Sequence, residues 1–253
     1  MACCDEPQLI PVQDAIARMQ VAVQAVTDTE TVSLPELLDR VTAEPVHAGF
    51  NVPGYDNSAM DGYALRAEDA GQVLTLVGQS LAGHHFDGEL NAGQCVRITT
   101  GATIPAGADA VVMQENTEVD GDSVRVMKAP STGENIRRAG EDITKGQEVF
   151  PSGYRFGPVD IALLASLGLA EASVKRRLKV AVLSTGDELT PPGQPLKAGH
   201  IYDSNRYGLI AILQRLNVEV LDLGLIPDQP DQIRAAFERA GAEADAIISS
   251  GGV

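Results

Sequence analysis

LKVAVLSTGDE, residues 178–188, is an apolar run that ends in hydroxyls, a glycine and two acids. A short apolar run bounded by turn-forming residues is typical of a strand buried in a parallel sheet. Similar runs follow at residues 218–223 and 246–250, and amphipathic helical patterns separate them, one over 205–216 and one that ends at Gly241. This alternation predicts βαβ units with right-handed crossovers, which place three parallel strands side by side.

Composition and charge narrow the classes of protein to which this chain can belong. Its 253 residues include 19 basic and 35 acidic side chains, for a net charge of −16. Because nucleic-acid affinity depends largely on lysine and arginine, this balance disfavours a nucleic-acid partner. No apolar run approaches the roughly 20 residues that cross a bilayer, the N-terminus lacks a signal-peptide pattern, and the cysteines and histidines lack metal-binding spacing. We therefore expect a cytoplasmic protein with no membrane partner, which can bind a small polyanion through a divalent cation.

The first part of the chain predicts two helices. Apolar residues recur at intervals of four and three from Pro11 onward, as on one face of an amphipathic helix. This stripe consists of Val12, Ile16, Met19, Val23 and Val26. Residues 33–36 read SLPE, a capping-box pattern that predicts a second, short helix beginning at Leu34.

A small β domain is predicted from about residue 52 to residue 140. Short β-type runs alternate there with glycine-rich and aspartate-rich turns. Within it, Asp120-Gly121 predicts a hairpin, since glycine tolerates the positive φ that such turns require. Beyond it, Gly157-Pro158 opens a helix that Gly168 is suited to end. The β domain is therefore expected to be an insertion between helical flanks.

Polar and acidic residues follow each strand of the predicted parallel sheet. The first strand runs into STGDE (184–188), the second into Gly224 and Asp228, and the third into SSGG (249–252). The carboxyl ends of such strands share one edge, where loops and helix N-termini bind ligands. Hydroxyls, glycines and carboxylates together suit a phosphate with a magnesium ion.

A purely structural explanation of these residues remains open. Turns between strands and helices favour Gly, Ser and Asp for their own geometry, and Asp203 or Ser204 can simply cap the next helix. The adjacent acids Asp187 and Glu188 favour a ligand site, because they repel each other unless a cation or solvent offsets their charge.

Three other segments are rich in polar groups. Residues 51–64 are dense in turn formers, and the alternative to a site is a surface loop whose acids bond to the local backbone. Residues 135–143 place two bases and two acids around a glycine, for which a solvated ion-pair cluster is the alternative. Residues 97–102 end a strand with hydroxyls and a glycine, which is a weaker signal.

Seven motifs lie along the chain. They are DNSAMDGYA (56–64), RITTG (97–101), AVVMQE (110–115), GEDI (140–143), STGDEL (184–189), IYDSN (201–205) and ISSGGV (248–253). Their combination and order resemble the MoeA family, the molybdopterin molybdenumtransferases, whose eukaryotic relatives include the E domain of gephyrin. The resemblance covers the chain from the first helix onward.

The resemblance implies a multidomain fold, α/β plus β. A parallel-sheet βαβ molybdopterin-binding domain is preceded by an elongated domain with an inserted small β domain. The implied boundaries are 1–27 for an N-terminal helix that packs on the α/β domain, 28–52 and 141–177 for the elongated domain, 53–140 for the β domain and 178–253 for an incomplete α/β domain. An L-shaped homodimer is also implied, with the site between the α/β domain of one subunit and the other domains of its partner.

The same resemblance implies the final step of molybdenum-cofactor synthesis. In that family adenylylated molybdopterin is cleaved with Mg²⁺ and molybdate present, molybdenum enters the pterin dithiolene, and AMP leaves. The upstream molybdopterin adenylyltransferase is a further implied partner. The matching positions give as catalytic residues Asp61, Asp142, Glu188 and Asp228, and as Mg²⁺ ligands Asp187, Glu188 and Asp228. They give as substrate-binding residues Thr100, Arg137, Ser184, Thr185, Gly186, Asp203, Ser250 and Gly251.

Two features depart from the family pattern. The sequence stops after the third strand, so the later pterin-binding and molybdate-binding loops are expected to be missing, and a sheet edge is expected to be exposed. Ala139 stands where relatives often carry a base. A rival function is a gephyrin-like scaffold that binds a partner without catalysis. A generic nucleotide-binding domain is disfavoured, because the chain has neither a G-x-x-x-x-G-K-[ST] loop nor a G-x-G-x-x-G turn.

Overall fold

The computed structural model describes residues 10–251. Its α-helices are α1 (Val12–Ala22), α2 (Pro158–Ser166), α3 (Asn205–Arg215) and α4 (Pro230–Glu243). Short 3-10 helices span Leu34–Glu36, Ala67–Asp69 and Gln114–Asn116. Across the described residues, every helix is too short or too polar to span a bilayer.

The strands fall into several small sheets and two larger ones. They are β1 (Thr29–Ser33), β2 (Val46–His47), β3 (Asn57–Ser58), β4 (Gly62–Leu65), β5 (Val73–Ser80), β6 (Gln94–Ile98), β7 (Ala110–Met113), β8 (Thr117–Asp120), β9 (Ser123–Val126), β10 (Ile136–Arg137), β11 (Glu148–Phe150), β12 (Glu171–Lys175), β13 (Lys179–Thr185), β14 (Leu189–Thr190), β15 (Ile201–Tyr202), β16 (Glu219–Ile226) and β17 (Ala246–Ser250).

The chain divides into two compact units. The first contains the described residues up to Ala43, Gly153–Ile161 and the described residues from Ala170 onward. The second contains Glu44–Ser152 and Ala162–Leu169. We call them the α/β unit and the β unit. The finer division into four domains stays a prediction.

The β unit is built around a six-stranded sheet with the order β7-β4-β6-β5-β9-β8. Only the pair β5 and β6 is parallel. Successive residues of β4 face opposite sides, so Tyr63 and Leu65 join one apolar cluster whereas Ala64 joins another. The predicted hairpin is confirmed, since β8 and β9 are antiparallel and Gly121 between them has a φ of 58°.

The α/β unit contains the predicted parallel sheet. Its order is β16-β13-β17, so the first strand of the sequence pattern lies in the middle. Val180 and Val182 of β13 are buried in one cluster with Leu213 of α3, and burying one such side chain stabilises a fold by roughly 1.5–3 kcal/mol. The three strands, the two helices and their order are confirmed, and only the ends differ by a few residues.

The short helix predicted to begin at Leu34 does begin there, but it is a single 3-10 turn, and Ser33 makes no capping bond to it. Ser33 pairs with Glu171 in the β1–β12 ladder, and the backbone N–H of Leu34 donates to the Ala170 carbonyl at 2.8 Å. The Ser33 hydroxyl donates to the Glu36 carboxylate at 2.7 Å and does not cap the turn. Pairing with a distant strand therefore outcompetes the local capping pattern.

Helix α1 begins at the predicted place but ends at Ala22, before the predicted stripe is complete. None of its residues is buried against the rest of residues 10–251. Val12, Met19 and Val23 are each more than half exposed. The packing of this helix on the α/β domain therefore stays a prediction.

Candidate functional site

The candidate site in the α/β unit lies at the carboxyl edge of the parallel sheet. Asp187 and Glu188 follow β13, Asp228 follows β16, and all three are exposed. The backbone N–H of Asp228 donates to Oδ1 of Asp187 at 3.2 Å. The structure thus brings together two of the three acids that the resemblance assigned to the metal.

Two glycines allow the loops at this edge to come close. Gly251 has a φ of 115°, and a Cβ there would lie 2.3 Å from the Thr185 carbonyl oxygen. Gly186 has a φ of 144°, and a Cβ there would lie 2.6 Å from Oε2 of Glu188. The end of β17 can rest against the Thr185 backbone because Gly251 has no side chain. At Gly186 the positive φ favours glycine, and the exposed Glu188 carboxylate lies over it.

Ser184 and Asp203 lie behind this edge, buried with 0% and 1% of their surface exposed. The Ser184 hydroxyl donates to Oδ1 of Asp203 at 3.0 Å, and Arg206 donates from Nε to Oδ2 of Asp203 at 2.7 Å. Oδ1 of Asp203 also accepts from the Arg206 backbone N–H at a long 3.4 Å, as in the helix-capping alternative. Both side chains therefore support the loops from within.

The sequence reading missed Arg206 and Asn205, which complete this support. Burial alone would lower the pKa of Arg206, but its hydrogen bonds to Asp203 and Asp222 outweigh that effect, so the pKa lies above its ordinary value. Asn205 donates from Nδ2 to the Ser250 hydroxyl at 3.0 Å. An arginine at the start of a helix normally points to solvent, and no local pattern marks this one as buried.

The acids of this edge fit a magnesium ion by their donor chemistry, since Mg²⁺ prefers carboxylate oxygens. Among residues 10–251, no group of three or more His, Cys, Asp or Glu side chains is arranged to hold a metal. Mg²⁺ at phosphate-binding sites usually takes only one or two carboxylates, and phosphate oxygens and water complete its shell. The carboxylates of Asp187, Glu188 and Asp228 have the donor chemistry of such a site, and Asp187 already accepts the Asp228 backbone N–H.

In the β unit, Asp61 and Thr100 form a pair. Oδ1 of Asp61 accepts hydrogen bonds from the backbone N–H of Thr100 at 2.7 Å and from its hydroxyl at 2.8 Å. These bonds, the backbone one first, hold the pKa of Asp61 below its usual range. The neighbouring Gly101 donates to the carbonyl of Ser58 in β3 at 2.8 Å, which fixes the pair beside that strand.

Arg137 and Asp142 form a second pair beside the same strand, since Arg137 of β10 is opposite Asn57 of β3. Nη2 of Arg137 lies 2.6 and 2.7 Å from the two Asp142 oxygens. This bond raises the pKa of Arg137, which therefore stays charged. The structure thus gathers around β3 the four β-unit residues that the resemblance assigned to the site, as two bonded pairs.

Replacing Thr100 with valine is expected to raise the pKa of Asp61, because the hydroxyl bond is lost and only the backbone bond remains. A carboxyl whose pKa is lowered in the folded state adds stability above its unfolded pKa and loses it as pH falls through the folded value. The variant should therefore lose this contribution at a higher pH than the parent. NMR titration of the Asp61 carboxyl carbon measures the change, with Thr31→Val as the control; an unshifted Asp61 in Thr100→Val would contradict the expectation.

The parallel sheet makes this an α/β protein, and proteins of this class bind ligands at the carboxyl edge of the sheet. Here that edge carries hydroxyls, glycines and carboxylates. Two family models match the chain. The MoeA N-terminal region (domain I and II) matches residues 10–168, and a probable molybdopterin binding domain matches residues 181–253. The chain belongs to the MoeA family.

Individual relatives agree with the family models. The chain is 46% identical over 97% of its length to a molybdopterin molybdenumtransferase of Haemophilus influenzae, and 40% identical over 89% to one of a Nostoc species. It spans 61% and 53% of the lengths of these two relatives. A crystal structure of a molybdopterin biosynthesis moeA protein from Pyrococcus horikoshii OT3 superposes with a TM-score of 0.89 at 33% identity, over 97% of this chain and 67% of the other.

Proposed function

We propose that the protein carrying this chain inserts molybdenum into molybdopterin, the final step of molybdenum-cofactor synthesis. In the proposed reaction water cleaves the phosphoanhydride bond of adenylylated molybdopterin, so that AMP leaves and molybdopterin keeps its own phosphate. Molybdate supplies the metal to the two dithiolene sulfurs, and oxygen that it gives up leaves as water with the thiol protons. Membership of the MoeA family and the names of its relatives support this activity.

The observation that carries the proposal is the convergence of three strand ends on one edge. Asp228 contacts Asp187, and Gly251 lies against Thr185. A nucleotide phosphate needs hydrogen-bond donors and an offset for its charge, and this edge offers hydroxyls and backbone N–H groups beside acids that suit a cation. Because the edge itself carries the exposed acids Asp187, Glu188 and Asp228, a cation between them and a phosphate would offset their repulsion.

Some residues of this edge would bind the phosphate, and others would bind the metal ion. The Ser250 hydroxyl accepts a bond from Asn205, which leaves its proton to donate to a phosphate oxygen. Thr185 and the backbone N–H groups of Gly186 and Gly251 would also bind phosphate oxygens. Mg²⁺, when bound, offsets the phosphate charge and polarises a phosphoryl oxygen. Its proposed ligands are Asp187, Glu188 and Asp228.

The β-unit pairs would complete the site from a second copy of the chain. Asp61 and Asp142 are exposed acids with fixed partners, so each carboxylate is held in place before a ligand arrives. Arg137 stays charged and would steady the anionic leaving group. We propose that the protein works as a cytoplasmic homodimer, with the upstream molybdopterin adenylyltransferase as a further partner.

Incubating the protein with adenylylated molybdopterin, Mg²⁺ and molybdate tests this function. Release of AMP that depends on both Mg²⁺ and molybdate is the expected result. Binding of the substrate without release would contradict the enzymatic function and favour a gephyrin-like scaffold. A mass measurement in solution tests the homodimer separately.

A further inference from the structure

Strand β16 changes register halfway along its pairing with β13. Val182 is opposite Asp222, whereas Leu183 is opposite Gly224, so β16 contains one extra residue at Leu223. Gly224 has a φ of 78°, a left-handed conformation that glycine adopts without strain. Oδ1 of Asp222 accepts a hydrogen bond from the Gly224 backbone N–H at 2.9 Å. We call Asp222, Leu223 and Gly224 the β16 bulge.

Arg206 of α3 holds this bulge from within the unit. Its Nη1 donates to Oδ1 of Asp222 at 2.7 Å, while its Nε donates to Oδ2 of Asp203 at 2.7 Å. Arg206 is only 6% exposed, and a buried charge destabilises the fold unless it is paired, so the guanidinium needs both carboxylates. A guanidinium can serve two carboxylates in a fixed geometry, which the single ammonium of lysine cannot reproduce.

The bulge decides where Asp228 lies. Beyond it, Leu225 and Ile226 are opposite Ser184 and Thr185 of β13. Because side chains alternate between the faces of a sheet, loss of the extra residue from the register would turn these positions to the opposite face. Asp228 follows two residues later, and its contact with Asp187 depends on this register.

We propose that Arg206 is a positioning residue, which sets Asp228 against Asp187 by holding the β16 bulge and supports Ser184 through Asp203. It does not touch the ligand. Its importance for phosphate and metal binding rests on the function proposed above, whereas its hold on Asp228 does not. Bulges commonly re-aim side chains beside functional sites, and here the residue that fixes the bulge lies on a different element.

Hydrogen exchange in the ligand-free chain tests the mechanical part of the proposal. In Arg206→Lys, the amides of Gly224 and Asp228 are expected to exchange about tenfold faster or more. The Gly224 amide loses its fixed acceptor, Asp222, and the Asp228 amide is no longer held against its acceptor, Asp187. Arg239→Lys is the matched control, because Arg239 forms an exposed ion pair with Glu243 on α4. Unchanged exchange at Gly224 and Asp228 in a folded Arg206→Lys protein would overturn the proposal.

Binding of AMP in the presence of Mg²⁺, followed by calorimetry, tests the functional part. Arg206→Lys is expected to weaken this binding by about tenfold or more, as for other residues that orient a metal ligand. An Asp228→Asn protein already lacks the carboxylate that Arg206 positions, so the same change made there should cost clearly less than in the parent, and the remaining loss reports the support of Ser184 through Asp203. Equal losses in both backgrounds would overturn the proposal.

One further result separates this inference from the proposed function. Failure of the parent chain to bind AMP with Mg²⁺ would contradict the proposed use of the edge, while the exchange experiment would still decide the role of Arg206.

If Arg206→Lys does not fold, Asp222→Ala replaces it, because Asp222 has a side chain that is 43% exposed and supplies the same bulge contacts. Faster exchange at Asp228 supports the proposal and unchanged exchange overturns it.

Discussion

Replacing Glu188 with alanine is expected to lower the rate of AMP release by about 100-fold or more, because a carboxylate proposed to hold the metal and phosphate is lost. Glu188 is exposed at the end of β13, with its carboxylate over Gly186. Its truncation removes no buried contact, so the fold should be spared. Single-turnover release of AMP by the protein that carries this chain is the measurement.

The matched control for this substitution is Glu238→Ala. Glu238 is an exposed acid on α4 and does not belong to the edge. Its replacement removes the same charge and should leave the rate unchanged, which separates a local effect from a change in net charge. Full turnover by the Glu188→Ala protein would remove Glu188 from the mechanism.

Replacing Gly62 with alanine is expected to destabilise the β unit by about 3 kcal/mol or more. A Cβ at this position would lie 1.8 Å from the carbonyl oxygen of Val112 and 2.7 Å from its carbonyl carbon. These are backbone atoms of β7, which pairs directly with β4, so no flexible side chain can move aside. The midpoint of urea unfolding, followed by circular dichroism, measures the loss.

Gly71→Ala provides the control within the same unit. No heavy atom lies within 4 Å of a Cβ built at Gly71, and its φ is not in the left-handed region. An alanine there should change the unfolding free energy by no more than about 1 kcal/mol, in the stabilising direction. A Gly62→Ala protein as stable as the parent would show that β7 can shift without cost.

The class of residue at the candidate site could be predicted because the signal is local. Each acid directly follows a strand, and the rule that parallel strands share their carboxyl edge then places the acids together. The contact between Asp187 and Asp228 agrees with that reasoning. Asp61 and Thr100, by contrast, were assigned to the site only by the resemblance, and the structure joins their two motifs by direct hydrogen bonds.

The supporting residues could not be predicted because their signal is not local. Arg206 reads as an ordinary solvent-facing arginine on the first turn of a helix. Asp203 is only three residues away and pairs with it locally, but the fold alone brings Asp222 of β16 to its other side. Ser184 and Asp203 were expected to contact ligand, and their burial follows from the same three-dimensional arrangement.

The amino-acid sequence by itself determined the order and type of the main elements, including the parallel strands, the helices between them and the Gly121 hairpin. Periodicity and turn chemistry act over a few neighbouring residues, so they can be read without knowing the fold. Only the tertiary structure decided the single turn at Leu34, the β16 bulge and the burial of Arg206. Each of these depends on hydrogen bonds between residues far apart in the chain, and such bonds form only once the distant partner is in place.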